Sequence, residues 1–435
     1  MNIKLSLIFC IICFASFNSY PLNLSLKECK ERALKTDEDL QIARNRLNQS
    51  TLDKGIAKTA YLPKIDGMGA AFYLTPDPSM AGMMDLQMRG VYLAGFSLTQ
   101  PIYTGGKIIN ANKLAKVGNE VAKDQLDAVR MDVLAEAEKS YWMYVAVLSK
   151  IEMIKSYMTR LDSIYGYTQS AYELGLTTQL SVTRVETRQA ELQYRLRQAE
   201  SGADLCRLAL CRIIGADESE QIIPTENLDD TIPSPRSFVG IASRPELLMA
   251  QKNIEVKKYD VKMTLADYLP TIGLQLGWNA FGNLKMKSMV QAPDGNYYPY
   301  TTNTNYKGFV GAVSVSVPIF HWGEGYKKVK KAKIEVENAA LSLEKNRKLM
   351  ELQAHQAYNN YSDGVDLIKS AEKAFSEAEQ NLGMMQDQYE HGLMTLTDLL
   401  EAQSQWHTSY SNLIEAKTQY RINRIDYLRS IGLLE

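Results

Sequence analysis

Two carboxylates near the C-terminus, Asp398 and Glu401, have the spacing in this chain that most clearly suits chemistry. They follow Gly392 and lie three residues apart, so a helix that begins there would place them on one face, one turn apart. Paired carboxylates of this kind attract cations. The ordinary structural alternative is that acidic residues in a first turn complement the helix dipole. The residues alone favour that alternative.

Other residues offer little for catalysis. The four histidines have neither metal-ligand spacing nor the H-E-x-x-H arrangement, and Thr104 to Lys107 departs from a phosphate loop because Pro101 stands where its first glycine belongs. We therefore predict no enzyme, no cofactor and no firm metal site. An exported enzyme is the least favoured alternative, and its sign would be a pair of carboxylates with perturbed pKa values in an exposed cleft.

Composition narrows the class of protein. Of 435 residues, 45% are hydrophobic and 23% charged, and no apolar run reaches the roughly 20 residues that a membrane-spanning helix needs. A formal charge of −1 gives no electrostatic reason to bind nucleic acid. We therefore expect neither a polytopic helical membrane protein nor a nucleic-acid-binding protein.

The first 20 residues predict export. Lys4 precedes the apolar segment Leu5 to Phe17, which is typical of a cleaved signal peptide, although no clean cleavage site follows. The mature chain then keeps three scattered cysteines: Cys29, Cys206 and Cys211. These suit small buried apolar side chains better than a disulfide scaffold or a zinc site. Whether Cys29 pairs with Cys206 or with Cys211 stays open.

Proline positions indicate a duplicated chain. None of the 13 prolines lies in residues 102–223 or 319–435, and proline-free runs of that length predict long helices. A shift of 217 residues superimposes the halves at matching residues: Pro101 on Pro318, Gly106 on Gly323, Tyr172 on Tyr389 and Gly175 on Gly392. We therefore predict repeats at residues 21–215 and 242–435, joined by a linker at 216–241.

Between the helical stretches the hydrophobic period changes to two, which indicates strands. Four are predicted, at about 64–75, 90–101, 271–282 and 308–319, with loop chemistry at 292–299. Strands of about 10 residues, apolar on one face and small or polar on the other, have the pattern of a transmembrane β-barrel. A buried sandwich hairpin is the alternative. Since four strands cannot close a barrel, several chains must contribute, and three copies would give about 12 strands.

Helix lengths indicate rods. Residues 107–172 would form about 100 Å of helix, which the predicted helices 26–60 and 177–214 match when placed end to end. Two apolar stripes with 3-4 spacing predict coiled-coil seams: Val182, Val185, Gln189, Leu192, Leu196, Ala199 and Ala203, and Leu399, Ala402, Trp406, Ser409, Leu413, Ala416 and Tyr420. The fold class is mainly α, with duplicated helix–β-hairpin–helix repeats and a small transmembrane β part.

Short motifs repeat at matching places in both halves. Tyr-Leu-Pro precedes the first strand, Pro-Ile-(Tyr/Phe) ends the second, and Tyr-Glu-x-Gly-Leu marks the helix turn: Tyr61 to Pro63, Tyr268 to Pro270, Pro101 to Tyr103, Pro318 to Phe320, Tyr172 to Leu176 and Tyr389 to Leu393. With these motifs the chain resembles a TolC-like outer membrane factor over essentially its whole mature length. A periplasmic coiled-coil adaptor or scaffold is the main alternative, but it has no need of lipid-compatible strands.

The resemblance implies a homotrimeric duct in the outer membrane lipid, with a 12-strand β-barrel and a helical barrel in the periplasm. Such a duct serves efflux or type I secretion. It receives substrates through a periplasmic adaptor, or membrane fusion protein, from an inner-membrane pump of the RND, ABC or MFS type.

It also implies roles for single residues. Acidic rings at the positions of Asp398 and Glu401 would form the entrance constriction, with Ser181 and Arg184 at the matching places of the first repeat. The basic residue and the aspartate that clamp some family members would stand at Met394 and Ser181, and both are absent here. We therefore predict Arg184 and Tyr389 as the closing contacts, with Arg184 neutralising part of the ring or pairing with Glu401.

Two further groups of residues complete the predicted sites. The tips, about 172–178 and 389–395, would dock the adaptor through Gly175, Leu176, Thr177 and Thr178 and through Gly392, Leu393, Met394 and Thr395. Glycine permits the reversal of the chain there, and the following leucine would be an exposed apolar anchor rather than a buried turn residue. The strand-to-helix junctions would be Pro101, Gly106, Pro318 and Gly323.

Overall fold

The computed structural model describes residues 22–75, 79–80, 84–230, 235 and 237–435, so the predicted signal peptide and part of the linker lie outside the described residues. The helices there are α1 (Leu26–Thr36), α2 (Glu38–Thr59), α3 (Lys107–Glu173), α4 (Gln179–Ile214), α5 (Pro245–Ala266), α6 (Glu324–Glu390) and α7 (Leu396–Ile431). The strands are β1 (Leu22–Leu24), β2 (Lys64–Tyr73), β3 (Ser79–Met80), β4 (Met84–Gln87), β5 (Arg89–Thr104), β6 (Ile222–Pro224), β7 (Thr271–Gln291) and β8 (Tyr297–Ser316).

Helix lengths repeat in the two halves. Helices α3 and α6 have 67 residues each, and α4 and α7 have 36 each. The absence of proline from these stretches lets each helix continue without losing a backbone hydrogen bond. The mainly helical fold with long paired helices is therefore the predicted one.

The prediction of a single helix at 26–60 is wrong, because the structure has two helices there, α1 and α2. The Asp37 N–H bonds to the Ala33 carbonyl at 3.0 Å and closes α1. The Asp37 carboxylate then accepts from the Leu40 N–H at 2.7 Å, as a cap of α2. An aspartate can end one helix and start the next without a proline or glycine to mark the break, which is why the sequence pattern hid it.

The chain divides into two compact units. The first comprises residues up to 45, 124–249 and 344–435, and the second comprises residues 46–123 and 250–343.

In the first unit, the predicted seams are buried. Val185 and Leu192 of α4 and Trp406 of α7 are at most 2% exposed. Trp406 packs edge-on against Tyr157 of α3 and against Tyr410, with ring centroids 6.1 and 5.5 Å apart. Side-by-side packing of α3, α4 and α7 along these stripes holds the unit together.

Charged side chains join helices of the first unit that lie far apart in sequence. Glu138 of α3, only 2% exposed, pairs with Lys30 of α1 at 3.0 Å and with Arg424 of α7 at 3.4 Å. Arg429 bonds to Asp132 and Glu246, both at 2.6 Å. Burial alone would raise the pKa of Glu246, but the hydrogen bond from Arg429 holds it below its usual range. Arg429 therefore keeps the half-buried carboxylate of Glu246 ionised, and the buried Glu138 is paired with two cations.

The cysteines that follow the signal region are free thiols in the structure. Burial, together with the nearby charge of Glu138, raises the pKa of Cys29 to about 12, so this thiol stays protonated. Cys211 is buried as well, and Cys206 is half-buried. The prediction of small apolar side chains therefore describes them.

The second unit contains an antiparallel sheet in which β2, β5, β7 and β8 are hydrogen-bonded in that order. Residues 271–282 of β7 lie between β5 and β8, with Phe96 of β5 opposite Trp278. The short strand β4 pairs with β7 further along, Met84 opposite Ser288. Within the described residues, β2 pairs only with β5 and β8 only with β7, so both carry an open edge.

The second hairpin is longer than predicted. Strands β7 and β8 have 21 and 20 residues, whereas the sequence predicted about 12 each and a loop at 292–299. The turn occupies only residues 292–296, with Gly295 at φ +81° and Ala292 bonded to Asn296. The tyrosines and threonines after residue 296 favour strand, and the ladder resumes beyond an irregularity between Phe281 and Leu284.

None of the helices in the described part of the chain is both long and apolar enough to cross a membrane.

Candidate functional site

Both helix turns predicted as tips have the same backbone. Gly175 and Gly392 have φ of +72° and +71°, in the left-handed region that favours glycine. After α3, the N–H groups of Gly175 and Leu176 bond to the carbonyls of Tyr172 and Ala171. Gly392 and Leu393 repeat both bonds after α6. This double closure is the Schellman motif, which satisfies the last carbonyls of a helix and reverses the chain.

The leucines of the tips are among the most exposed apolar side chains in the molecule. Leu176 is 79% exposed and Leu393 is 76% exposed. Neighbouring Leu174 is 75% exposed. Each tip therefore presents apolar surface that no other described residue covers.

The two helices that leave the tips start differently. Thr395 accepts from the Asp398 N–H, and the Asp398 carboxylate accepts from both the backbone and the hydroxyl of Thr395, which makes a full capping box. At the matching place of the first repeat, Ser181 accepts instead from the hydroxyl of Thr177 at 3.0 Å. Asp398 thus has the helix-start role that the sequence offered as the ordinary alternative.

Asp398 and Glu401 also line an open cleft of about 310 Å³ between the end of α6 and the start of α7. Both side chains are exposed. The cleft is completed by Asn381, Met385, Met394, Ala402 and Gln405. The capping box holds the side chain of Asp398 in place. Glu401 lies one helix turn further on the same face of α7, so both carboxylates can face the same ligand.

Arg184 has a partner other than the predicted one. Its Nη1 donates to the hydroxyl of Thr397 at 3.0 Å, which joins the starts of α4 and α7. Within the single chain described, this bond takes the place of a pairing with Glu401, and the pairing expected in a closed trimer stays a prediction. Thr397 lies four residues before Glu401, one helix turn away on the same face of α7.

Tyr389 is held within the tip region of its own chain. Its hydroxyl lies 2.9 Å from that of Thr168, and its ring packs edge-on against Tyr167 with centroids 5.3 Å apart. Tyr167 in turn donates to the carbonyl of Glu390 at 2.9 Å. These contacts join the ends of α3 and α6. Sequence reasoning identified Tyr389 and Arg184 but missed Thr168, Tyr167 and Thr397, because no spacing rule pairs residues more than 200 positions apart.

The strand-to-helix residues fall at different places in the two repeats. Gly106 and Gly323 directly precede α3 and α6, with φ of +83° and +77°. Pro101 lies inside β5, at a register shift that tolerates its missing N–H, whereas Pro318 follows the end of β8 at Ser316.

In the part of the chain that the structure describes, no group of three or more His, Cys, Asp or Glu side chains is placed to hold a metal ion. The described features that stand out are instead apolar tips, an acidic cleft and a sheet with open edges.

Several known proteins resemble this chain over most of its length. TolC of Vibrio cholerae is 21% identical over 349 residues, which cover 78% of this chain and 76% of the relative. The alkaline protease secretion protein AprF of Pseudomonas aeruginosa is 22% identical over 342 residues, covering 76% and 67%. The crystal structure of the Campylobacter jejuni outer membrane channel CmeC has the same fold, with a TM-score of 0.76 at 18% identity, covering 94% of this chain and 86% of that one.

The family model for outer membrane efflux proteins matches twice, at residues 30–216 and 241–433, and so covers most of the chain. The two matches correspond to the two copies of the helix–hairpin–helix pattern. This protein therefore belongs to the outer membrane efflux protein family and is located in the outer membrane.

Proposed function

We propose that three copies of this outer membrane efflux channel close into one duct, in which each chain contributes four strands to a barrel of about 12. The open edges of β2 and β8 carry this proposal. An unpaired strand edge in lipid leaves backbone N–H and C=O groups without partners, and each such group costs several kcal/mol, on the order of 3 or more. Pairing β2 of one chain with β8 of the next removes both of these edges.

The tips suggest how the duct connects to the rest of an export system. Exposed leucines on a rigid turn suit an apolar docking contact, and we assign that contact to a periplasmic adaptor that links the duct to an inner-membrane pump. Secretion is part of the name of the relative AprF, and efflux is the name of the family. The substrate is determined by the pump, which the duct serves without selecting cargo itself.

The acidic cleft is our candidate for the entrance constriction. Three copies of Asp398 and Glu401 around one axis would repel one another, so cations or nearby arginines would stabilise the narrow state. Arg184 serves this state through Thr397, since the hydrogen bond between them holds the two helix starts of a tip region together. Tyr389 acts in the same way on α3 and α6 through Thr168.

The docking proposal predicts that Leu176→Asp combined with Leu393→Asp lowers export at least tenfold, because a charge replaces the apolar anchor while the glycine turns stay intact. Susceptibility of cells to an exported toxic compound measures export, and copurification of the adaptor measures docking.

Replacing Gly175 and Gly392 with lysine should abolish export too, since lysine is strained at a positive φ.

Leu367→Asp is the matched control for the tips, because Leu367 is an exposed leucine of α6, 61% accessible, outside both turns. It should leave export unchanged. Normal export by the doubly substituted tips, with the protein assembled in the membrane, would refute docking at these leucines.

The entrance proposal predicts weaker cation selectivity and block by divalent ions, by about tenfold in blocking concentration, for Asp398→Asn with Glu401→Gln. The Thr395 hydroxyl still accepts from the backbone N–H of residue 398, so the substitution removes charge while the N-cap of α7 stays in place. Current through single channels in planar bilayers gives both quantities. Asp366→Asn, which instead neutralises an exposed carboxylate of α6, should change neither quantity. An unaltered reversal potential and block in the double variant would place the constriction elsewhere.

The contact between Arg184 and Thr397 predicts a specific pattern of channel opening. Arg184→Ala and Thr397→Val should each raise the open probability about fivefold, because each removes the same hydrogen bond. The double variant should open no more than either single one, since the interaction is already lost. Arg184→Lys, which can still donate to a hydroxyl, should have a smaller effect. Additive effects in the double variant would mean that the two residues act independently.

A further inference from the structure

Charge is distributed unevenly between the two compact units. Residues 46–123 and 250–343, which contain the sheet, include 21 lysines and arginines but only 12 aspartates and glutamates. The whole chain has 49 basic and 50 acidic residues, so the rest of it is net acidic. In a nearly neutral protein, positive charge concentrated in the unit that contains the sheet would be attracted to an anionic membrane surface beside the strands.

The basic residues are densest at the start of α6. Lys327, Lys328, Lys330, Lys331 and Lys333 fall within its first ten residues, against one carboxylate, Glu324. Lys328 and Glu324 pair at 2.6 Å, and the hydrogen bonds that Lys328 donates to Glu324 and Tyr268 raise the pKa of Lys328. Repeat one has only part of this cluster, because Lys113 and Lys116 match Lys330 and Lys333, whereas Asn110, Ala111 and Leu114 stand where Lys327, Lys328 and Lys331 are.

Three of these lysines share one face. At 100° per residue, Lys327, Lys330 and Lys331 lie within about 100° of arc. Gly325 and Val329 lie roughly half a turn away, on the face where α6 meets α5. A Cβ at Gly325 would come within 2.8 Å of Tyr268, which shows how closely that face is packed. The three lysines therefore point away from α5, are exposed, and take part in no ion pair among the described residues.

Directly before the lysines, the chain exposes large apolar side chains at an energetic cost. Trp322 has φ +50°, which costs about 1 kcal/mol or more for a residue with a Cβ. Trp322 is nevertheless 86% exposed, so packing against the described residues offsets little of the strain. Gly105 occupies the matching position of repeat one. Phe320 lies against Trp322, with ring centroids 5.0 Å apart and 67% of Phe320 exposed.

An apolar cleft adjoins this segment. It has a volume of about 390 Å³ and lies between the end of α5 and the start of α6. Its lining is mainly hydrophobic and aromatic: Leu265, Tyr268, Ile319, Phe320, Tyr326 and Val329. The junction of β8 and α6 therefore combines an apolar cleft, an exposed indole and, within about 10 Å along the helix, a cluster of lysines.

We propose that this junction is a binding site for an anionic phospholipid. The headgroup phosphate lies on Lys327, Lys330 and Lys331, the acyl chain lies in the cleft, and Trp322 sits at the boundary between them. The inference rests on the proposed function, because it requires that the helices leave the membrane on its periplasmic side. Charge complementarity selects an anionic headgroup over a zwitterionic one, and the cleft selects a lipid over a free anion.

The test uses the full-length protein purified in detergent and titrated with phosphatidylglycerol, with bound lipid counted by native mass spectrometry. Each lysine near an anionic surface strengthens binding about fivefold, so Lys327→Gln, Lys330→Gln and Lys331→Gln together should weaken it on the order of a hundredfold. Lys369→Gln with Lys373→Gln removes two exposed lysines farther along α6 and should leave the affinity unchanged.

Trp322→Gly separates lipid binding from folding. Glycine relieves the strain at φ +50°, so thermal stability in detergent should be unchanged or higher, while phosphatidylglycerol affinity falls at least tenfold. Equal affinity for phosphatidylcholine, full binding by the triple lysine variant, or displacement by millimolar inorganic phosphate would each overturn the proposal. Channel conductance in planar bilayers is measured separately. If the protein conducts but shows no preference for phosphatidylglycerol, the lipid site alone is refuted and the proposed function stays intact.

Discussion

Backbone hydrogen bonding in the absence of water is the constraint on which the rest of this structure depends. The central strands β5 and β7 have partners on both sides, but β2 and β8 do not. Lipid supplies no donors or acceptors, so these edges require a neighbour. Residues alternate along β7, with Ile272, Leu274 and Leu276 on one face, and in the proposed barrel that apolar face would meet lipid. A periplasmic adaptor or scaffold would need neither feature.

The helices meet a different requirement: they keep the two helix–hairpin–helix repeats in register with each other. Equal lengths of 67 and 36 residues in the two repeats put both turns at equivalent points, and the same glycine closure ends α3 and α6. Buried aromatic and aliphatic stripes hold the helices side by side, and the ion pairs of Glu138 and Arg429 fix helices that the stripes alone would allow to slide. Within this frame the repeats diverge at the two proposed sites. The second repeat has Asp398 where the first has Ser181, and Trp322 where the first has Gly105.

Much of this architecture is predictable from sequence, because prolines, glycines and hydrophobic periods report on the backbone directly. The duplication, the long helices, the seams and the glycine turns all rest on such signals. The break at Asp37 was missed because its cause is one side chain that caps a helix, and the length of β7 and β8 was missed because Pro293, Asp294 and Gly295 obscured strand residues on either side of a short turn. At the candidate site, the exposure of Leu176 and Leu393 followed the expectation, whereas the partner of Arg184 did not. Which hydroxyl the guanidinium of Arg184 reaches depends on how α4 and α7 are rotated relative to each other. Residue spacing cannot predict that rotation, because the two helices are remote in sequence.

Closure of the sheet by neighbouring copies is the central claim, and cross-linking of the open edges tests it most directly. Single cysteines placed along β2, between Lys64 and Tyr73, and along β8, between Phe309 and Ser316, would be oxidised in pairs in the native membrane and resolved by denaturing electrophoresis. The parent chain, whose own cysteines are buried or half-buried, is the control. The account predicts that pairs in one register give a ladder ending at a covalently closed trimer, because each β2 meets the β8 of the next chain. Cross-links confined to single chains, or none along either edge, would contradict it.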